Sequence, residues 1–245
     1  MRDGSQYSLQ SDAAKYLNIG ILCSMARPAQ RIFDVAEEQW GLITRAQARA
    51  EDIAPSTFAR LIDDGRLERV AHGVYRVRGA GEADHLALRA AWLQLDPRTP
   101  AWLRVSDLRG PVVSHASAAD LYGVGDLRPD VHEFTLHARR QSRRPDVRLH
   151  RRIVPADDRN LLLGLPVTRA GRMIADLLAD HVDPSAVAEI TAQVIESGIE
   201  DPATIADRIA PFASRFRFRR DDGEALLEHL RVLAGHNDRA EAKAT

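Results

Sequence analysis

A chain of 245 residues with 44% hydrophobic content and a mean hydropathy of -0.30 is long enough and apolar enough to fold as one large domain or two small ones. A net charge of -1 excludes a globally basic nucleic-acid binder, so any such role needs positive charge gathered locally. The single cysteine, Cys23, excludes an intrachain disulfide framework and a cysteine-built zinc site, which fits a reducing cytoplasm, and no apolar run reaches membrane-spanning length.

Residues 16–26 have the apolarity of a signal-peptide core. The stretch before them carries no net positive charge, however, and Asn18 interrupts the run. Residues 1–27 are therefore expected to be a leader, either disordered or lying mostly upstream of a natural start at Met25.

Beyond the leader, Ile32, Phe33, Ala36 and Trp40 fall on one face of a first helix, which Gly41 ends. Leu42 and Ile43 leave room for a stub of strand. Thr44-Arg45-Ala46-Gln47 fits a capping box that opens a short second helix to Ala50. Residues 51–54 make the turn, with Ile53 plugging the core. Pro55 suits the first position of a third helix, whose buried stripe is Phe58, Leu61 and Ile62 and whose stop is Gly65. Residues 67–70 and 74–77 alternate around Ala71-His72-Gly73, which predicts a β-hairpin. That order of elements is a winged helix-turn-helix over residues 28–80.

The rest is predicted as a mixed α/β domain over residues 81–236. A helix is expected at 82–95 and a short buried strand at 111–115. A further helical stretch at 116–122 is stopped by Gly123. Residues 131–136 and 147–151 alternate apolar and polar, and are expected to pair as antiparallel strands joined by an arginine-rich loop. Residues 161–167 suggest another hairpin. Helices then follow at 168–178, 184–197, 202–210 and 224–234, and residues 237–245 form a frayed tail. The fold class is α+β: a winged helix-turn-helix, then a domain with a short antiparallel sheet and a helical end.

A helix-turn-helix reads base edges with the start of its third helix, which selects Ser56, Thr57 and Arg60. An arginine there can pair bidentately with a guanine. Thr44, Arg45 and Arg49, and Arg69, His72, Arg76 and Arg78 around the wing, occupy positions where phosphate contacts are expected. Residues 31–79 nevertheless carry as many Asp and Glu as Arg, so the module is not basic overall. The second basic feature is residues 137–152, which hold Arg139, Arg140, Arg143, Arg144, Arg148, Arg151 and Arg152 against the lone Asp146. Such a run is either a solvated loop, a second phosphate-binding surface or a docking face for an acidic partner.

Catalytic signatures are missing. Pro129-Asp130 and Pro145-Asp146 begin a nuclease motif of the PD-(D/E)xK type that no acid-x-lysine follows closely enough to complete; Lys15 and Lys243 are the only lysines, and Glu241-Ala242-Lys243 lies in the expected tail. The nine histidines lack HExxH or HxH spacing, and His115 is expected to be a structural residue. No enzyme activity, cofactor or metal is expected.

The run GLITRAQARAEDIAPSTFARLIDDGRLERVAHGVYRV resembles the N-terminal domain of AbiEi-family antitoxins of type IV toxin–antitoxin systems. The segments VVSHASAADLYGVGDL, VHEFTLHARRQSRRPDVRLHRR and LPVTRAGRMIADLLAD are similar to the second half of actinobacterial members. The resemblance implies a winged helix that binds inverted repeats in the double-stranded DNA of its own promoter. It also implies a C-terminal domain that neutralises a cognate nucleotidyltransferase toxin, in systems associated with abortive infection by phage. Family members can extend a positive face across both domains, which would give the arginines of 137–152 a part in holding DNA. A second reading is a winged-helix transcriptional regulator whose C-terminal domain senses a ligand or a protein partner. A third, a nucleic-acid-processing enzyme, requires metal-dependent cleavage.

Overall fold

The computed structural model describes residues 28–81, 83–127 and 130–244; the leader expected over 1–27, with Cys23 and Met25, lies outside them, as do Glu82, where the fourth helix was expected to start, and Pro129 of the first nuclease half-motif. The chain divides into two compact units, one ending at Trp102 and one beginning at Leu103. Among the described residues, no helix is long and apolar enough to cross a membrane.

The first unit runs α1 (Pro28–Glu37), β1 (Leu42–Thr44), α2 (Arg45–Ala50), α3 (Pro55–Asp63), β2 (Leu67–Ala71), β3 (Val74–Val77) and α4 (Leu86–Leu95). The stub expected at Leu42 and Ile43 is a full partner in the sheet. β1 and β2 flank β3, both antiparallel to it, with Ile43 opposite Tyr75 and Leu67 opposite Val77. Ile32, Ala36, Ile43, Phe58, Leu61, Leu67 and Tyr75 form one buried core between the helices and this sheet. Phe58 meets Tyr75 edge-on, with ring centroids 5.0 Å apart.

The capping box at α2 forms as expected. Thr44 Oγ1 accepts from the Gln47 backbone N–H at 2.9 Å, and Gln47 Oε1 accepts from Thr44 N–H at 2.9 Å. The same glutamine lies in a buried amide pair, accepting from Gln39 Nε2 at 2.7 Å. Residues 97–101 close over this network. Thr44 Oγ1 donates to the Pro97 carbonyl, Gln47 Nε2 donates to Thr99 O at 3.3 Å, and Ala101 N donates to Gln39 Oε1 at 3.1 Å. Thr44→Ala removes an N-cap and the donor to the Pro97 carbonyl, so it should cost about 1–2 kcal/mol in urea unfolding, with Thr44→Ser restoring most of it. A loss near zero would mean that the cap is redundant.

The compact unit extends past the 28–80 expected for the winged helix because α4 packs on β1, β2 and β3. Trp92 is fully buried and meets the Trp40 ring edge-on at 6.1 Å, while the Arg89 guanidinium lies 5.1 Å from the same indole. Residues 83–85 precede α4 outside the helix, where the sequence pattern had begun it at 82. A single helical turn, α5 (Ala101–Arg104), follows.

The second unit contains β4 (Val112–Val113), α6 (His115–Tyr122), β5 (His132–Leu136), β6 (Val147–Arg151), β7 (Arg159–Leu162), β8 (Leu165–Thr168), α7 (Ala170–Ala179), α8 (Pro184–Glu196), α9 (Pro202–Ile209) and α10 (Gly223–Ala244). Its sheet has the order β6-β5-β4-β8-β7. The predicted hairpin is β7–β8, and β4–β5 is also antiparallel. The expectation that β5 and β6 run antiparallel is corrected: they pair parallel, His132 opposite Val147 and Leu136 opposite Arg151. Alternation reads the same in either direction, and the loop between them is too long to force a hairpin, so the pattern could not decide the sense.

Two further expectations change. Thr168 ends β8 rather than capping α7; the free N-terminus of α7 is satisfied from a distance, by Glu200 Oε2 accepting from Gly171 N at 2.7 Å. The last helix runs through Ala244, across the stretch expected to fray. Asp183 and Asp201, each followed by a proline at the first helical position, cap α8 and α9 through Ala186 N and Thr204 N. Gly223 opens α10 where any Cβ would run into the Ala206 carbonyl oxygen, which lets α10 lie against α9.

Candidate nucleic-acid interface

Pro55 starts α3, and its buried side is Phe58 and Leu61. That choice of face leaves Ser56 and Arg60 exposed and Thr57 half-exposed, the arrangement a reading helix needs. Among the described residues Arg49 and Arg60 are exposed and engage no other side chain. Arg45 is exposed but aimed: its guanidinium lies 5.6 Å from the Phe58 ring and 5.7 Å from the Tyr75 ring, and it donates to the Tyr75 hydroxyl at 3.1 Å. The packing holds a positive charge beside the start of α3 at low entropic cost.

On the wing, Arg69 reaches His72, with Nη2 3.3 Å from Nδ1, and both are exposed. Arg78 pairs with Glu68 at 2.8 Å. Both of those groups are exposed, and such pairs contribute only about 0–1 kcal/mol, so a phosphate can displace the carboxylate.

One predicted contact residue is corrected, and a second is engaged elsewhere. Thr44 is fully buried, and its hydroxyl is committed to Gln47 and Pro97, so it cannot touch a phosphate. Arg76 is half-buried and donates from Nη2 to the carbonyls of Ala80 at 2.8 Å and Gly81 at 2.7 Å. Its work is to fasten the chain leaving the wing. Conversely, Arg66 was passed over although it is exposed, with its guanidinium 4.6 Å from the Phe33 ring. The acids Asp63 and Asp64 lie at the far end of α3 from Ser56 and Thr57.

In the second unit, the arginine-rich segment is divided. Arg144 is tied to Asp146, and Arg148 donates to Glu133 Oε1 at 3.1 Å. The bond to Arg144 holds the Asp146 carboxyl below its usual range despite the opposing pull of desolvation. Arg139, Arg140, Arg143, Arg151 and Arg152 are exposed. Arg139, Arg140 and Arg151 line a groove of about 280 Å³ with Leu136, Ala138, Leu149 and His150, which carries no carboxylate. That wall suits a phosphate-bearing chain.

Next to this groove lies a cluster that the sequence did not reveal. His115 is buried and stacks on His150, ring centroids 3.6 Å apart, with Asp180 beside both. His115 is satisfied at Nδ1 by Ser114 Oγ at 2.9 Å, as a structural histidine should be, but its other nitrogen faces His150 and Asp180. Burial, and then the neighbouring His150, hold the His115 imidazole below its ordinary pKa against the pull of the surrounding carboxylates. The sequence showed no spacing that would gather metal ligands, yet among the described residues one set of three candidate ligands converges here.

No protein of curated function matches the chain. Among solved structures, the crystal structure of the RV2827C protein from Mycobacterium tuberculosis is similar at 18% identity and a TM-score of 0.47, covering 82% of this chain and 80% of that one. Residues 30–78, from α1 to the end of the wing, match a family described as "Transcriptional regulator, AbiEi antitoxin". The winged helix of this chain is therefore similar to that of the AbiEi antitoxin family of transcriptional regulators.

Proposed function

We propose that this protein is a cytoplasmic, DNA-binding antitoxin that represses its own operon. The observation that carries the reading is α3: a helix of the matched family whose outer face presents Ser56, Thr57 and Arg60, with Arg45 and Arg49 alongside. In this reading α3 enters the major groove of inverted repeats in the promoter, and Arg69, His72 and Arg78 of the wing hold phosphates. The exposed arginines of 137–152 add a second phosphate-binding surface, and the second unit neutralises a nucleotidyltransferase toxin encoded beside it. None of these roles calls for catalysis or a cofactor.

The test has two arms. DNase footprinting of the full chain on its promoter should protect paired half-sites; uniform protection of unrelated DNA would refute operator recognition. Co-expression with the neighbouring nucleotidyltransferase should restore growth, and the doubly substituted Arg49→Ala/Arg60→Ala chain should still do so. Loss of rescue in that variant would place neutralisation at the level of transcription instead of in the second unit.

A further inference from the structure

The His115, His150 and Asp180 cluster is built from three separate stretches of the second unit: the start of α6, the fourth residue of β6 and the residue that caps the end of α7. His115 Nε2 and His150 Nδ1 each lie 3.8 Å from Asp180 Oδ2, too far for hydrogen bonds, and the three donor atoms all fall within 4.8 Å of one another. The outward nitrogens are engaged elsewhere. His115 Nδ1 meets Ser114 Oγ at 2.9 Å, and that hydroxyl also accepts from Thr135 Oγ1 at 2.9 Å. His150 Nε2 meets Glu133 Oε1 at 3.2 Å. Glu133 is itself held by Ala116 N–H and Arg148, and is buried. The Glu133 carboxylate places the His150 proton on Nε2, which leaves the His150 Nδ1 lone pair turned inward; with His115 Nδ1 donating to Ser114 Oγ, the His115 Nε2 lone pair turns inward as well. In those tautomers two lone pairs and one carboxylate face a common point, an arrangement that suits a cation.

Two independent features mark the same place. Asp176, one helical turn before Asp180 and 2% exposed, has a buried Oδ2 without a hydrogen-bond partner. His115 holds a left-handed backbone, φ 55°, which a non-glycine residue adopts at a cost of about 1–3 kcal/mol and which concentrates at functional positions.

We propose that His115 Nε2, His150 Nδ1 and Asp180 bind a divalent first-row transition-metal ion of the zinc type. Two neutral imidazoles and a carboxylate are the donor set such ions prefer, whereas magnesium and calcium take oxygen. Glu133 and Ser114 supply the outer hydrogen bonds that orient metal-bound histidines. Around an ion with ligands at about 2.0–2.2 Å, tetrahedral donors sit about 3.3–3.5 Å apart, so the two 3.8 Å separations close by a few tenths of an ångström and the pair of ring nitrogens, within 4.8 Å, by up to about an ångström or slightly more. The two rings also splay from their 14° stack until both lone pairs converge. Asp180 is partly exposed, which leaves a fourth position for water or for a ligand oxygen. The ion would pin β6, the β4–α6 junction and the end of α7 to one another.

The site is independent of the DNA-binding reading and stands if operator binding fails. The test uses the untagged full chain, stripped with chelator and titrated with ZnCl2 by calorimetry and with CoCl2 by visible absorption. One ion per chain and the d–d bands of low-coordinate cobalt are expected, and MgCl2 should give no heat. His150→Gln and Asp180→Asn should each weaken zinc binding at least about tenfold, and Glu133→Gln by about tenfold through orientation alone. Asp180→Asn is isosteric and partly exposed, so it keeps the fold, checked by circular dichroism. No saturable binding, or one-to-one binding retained in both Asp180→Asn and His150→Gln, would overturn the proposal.

Discussion

Arg60→Ala should lower affinity for the operator by about 5- to 150-fold, the 1–3 kcal/mol that a bidentate base contact supplies, while affinity for unrelated DNA falls far less. The asymmetry follows from where the residue stands. Arg60 is exposed on α3, on the side left free by the burial of Phe58 and Leu61, and no carboxylate engages it among the described residues. Arg49→Ala is the matched comparison. It should weaken operator and unrelated DNA together and reduce the slope of log affinity against log salt by about one. Gel-shift titrations of both variants at several salt concentrations read the two quantities. Unchanged discrimination in Arg60→Ala would remove α3 as the reading element.

The largest stability effect is expected in the second unit, at Asp158. Its carboxylate is 5% exposed and meets Arg172 Nη1 at 3.0 Å and Arg208 Nη2 at 2.7 Å. Arg208 forms a close ion pair outside hydrogen-bond geometry, while Arg172 makes the hydrogen bond to Asp158 Oδ2. Arg172 also meets Asp176 at 3.0 Å, and the burial of this arginine is offset by its two carboxylates. Asp158→Ala strands a buried guanidinium beside one acid in place of two. Removal of one partner from such a pair costs about 3–5 kcal/mol, measurable as a shift of the urea midpoint. Asp158→Asn keeps the shape and one acceptor, and should cost less. A loss under about 1 kcal/mol in Asp158→Ala would mean that solvent already screens the group.

The winged helix was legible because its signals are local. A proline at the first position of α3, a threonine and glutamine spaced for a capping box, and a glycine at the hairpin tip each act within a few residues. Legibility ended where contacts cross the sequence. Thr44 and Arg76 look like phosphate ligands until Pro97 and the carbonyls of Ala80 and Gly81 claim their polar atoms. The sense of the β5–β6 pair is set by loop path, on which alternation is silent. The helical run after residue 82 gives no sign that its tryptophan packs on Trp40 instead of in a later domain. His115, His150 and Asp180 share no spacing rule, since only the folding of two helix ends and a strand onto one another gathers them.

The docking of residues 97–101 on the buried amides of Gln39 and Gln47 has a practical consequence for modularity. Family likeness ends at residue 78, yet the cooperative structure that keeps α2 and α3 in place continues to Trp102. A fragment cut after the wing would keep α3 and the wing arginines but open Trp40 to water and take Thr99 O from Gln47 and Ala101 N–H from Gln39. The unit that can be transplanted onto another effector, or exchanged by recombination without loss, is accordingly longer than the unit that is recognised. The longer unit includes at least the residues through Ala101 that contact Gln39 and Gln47.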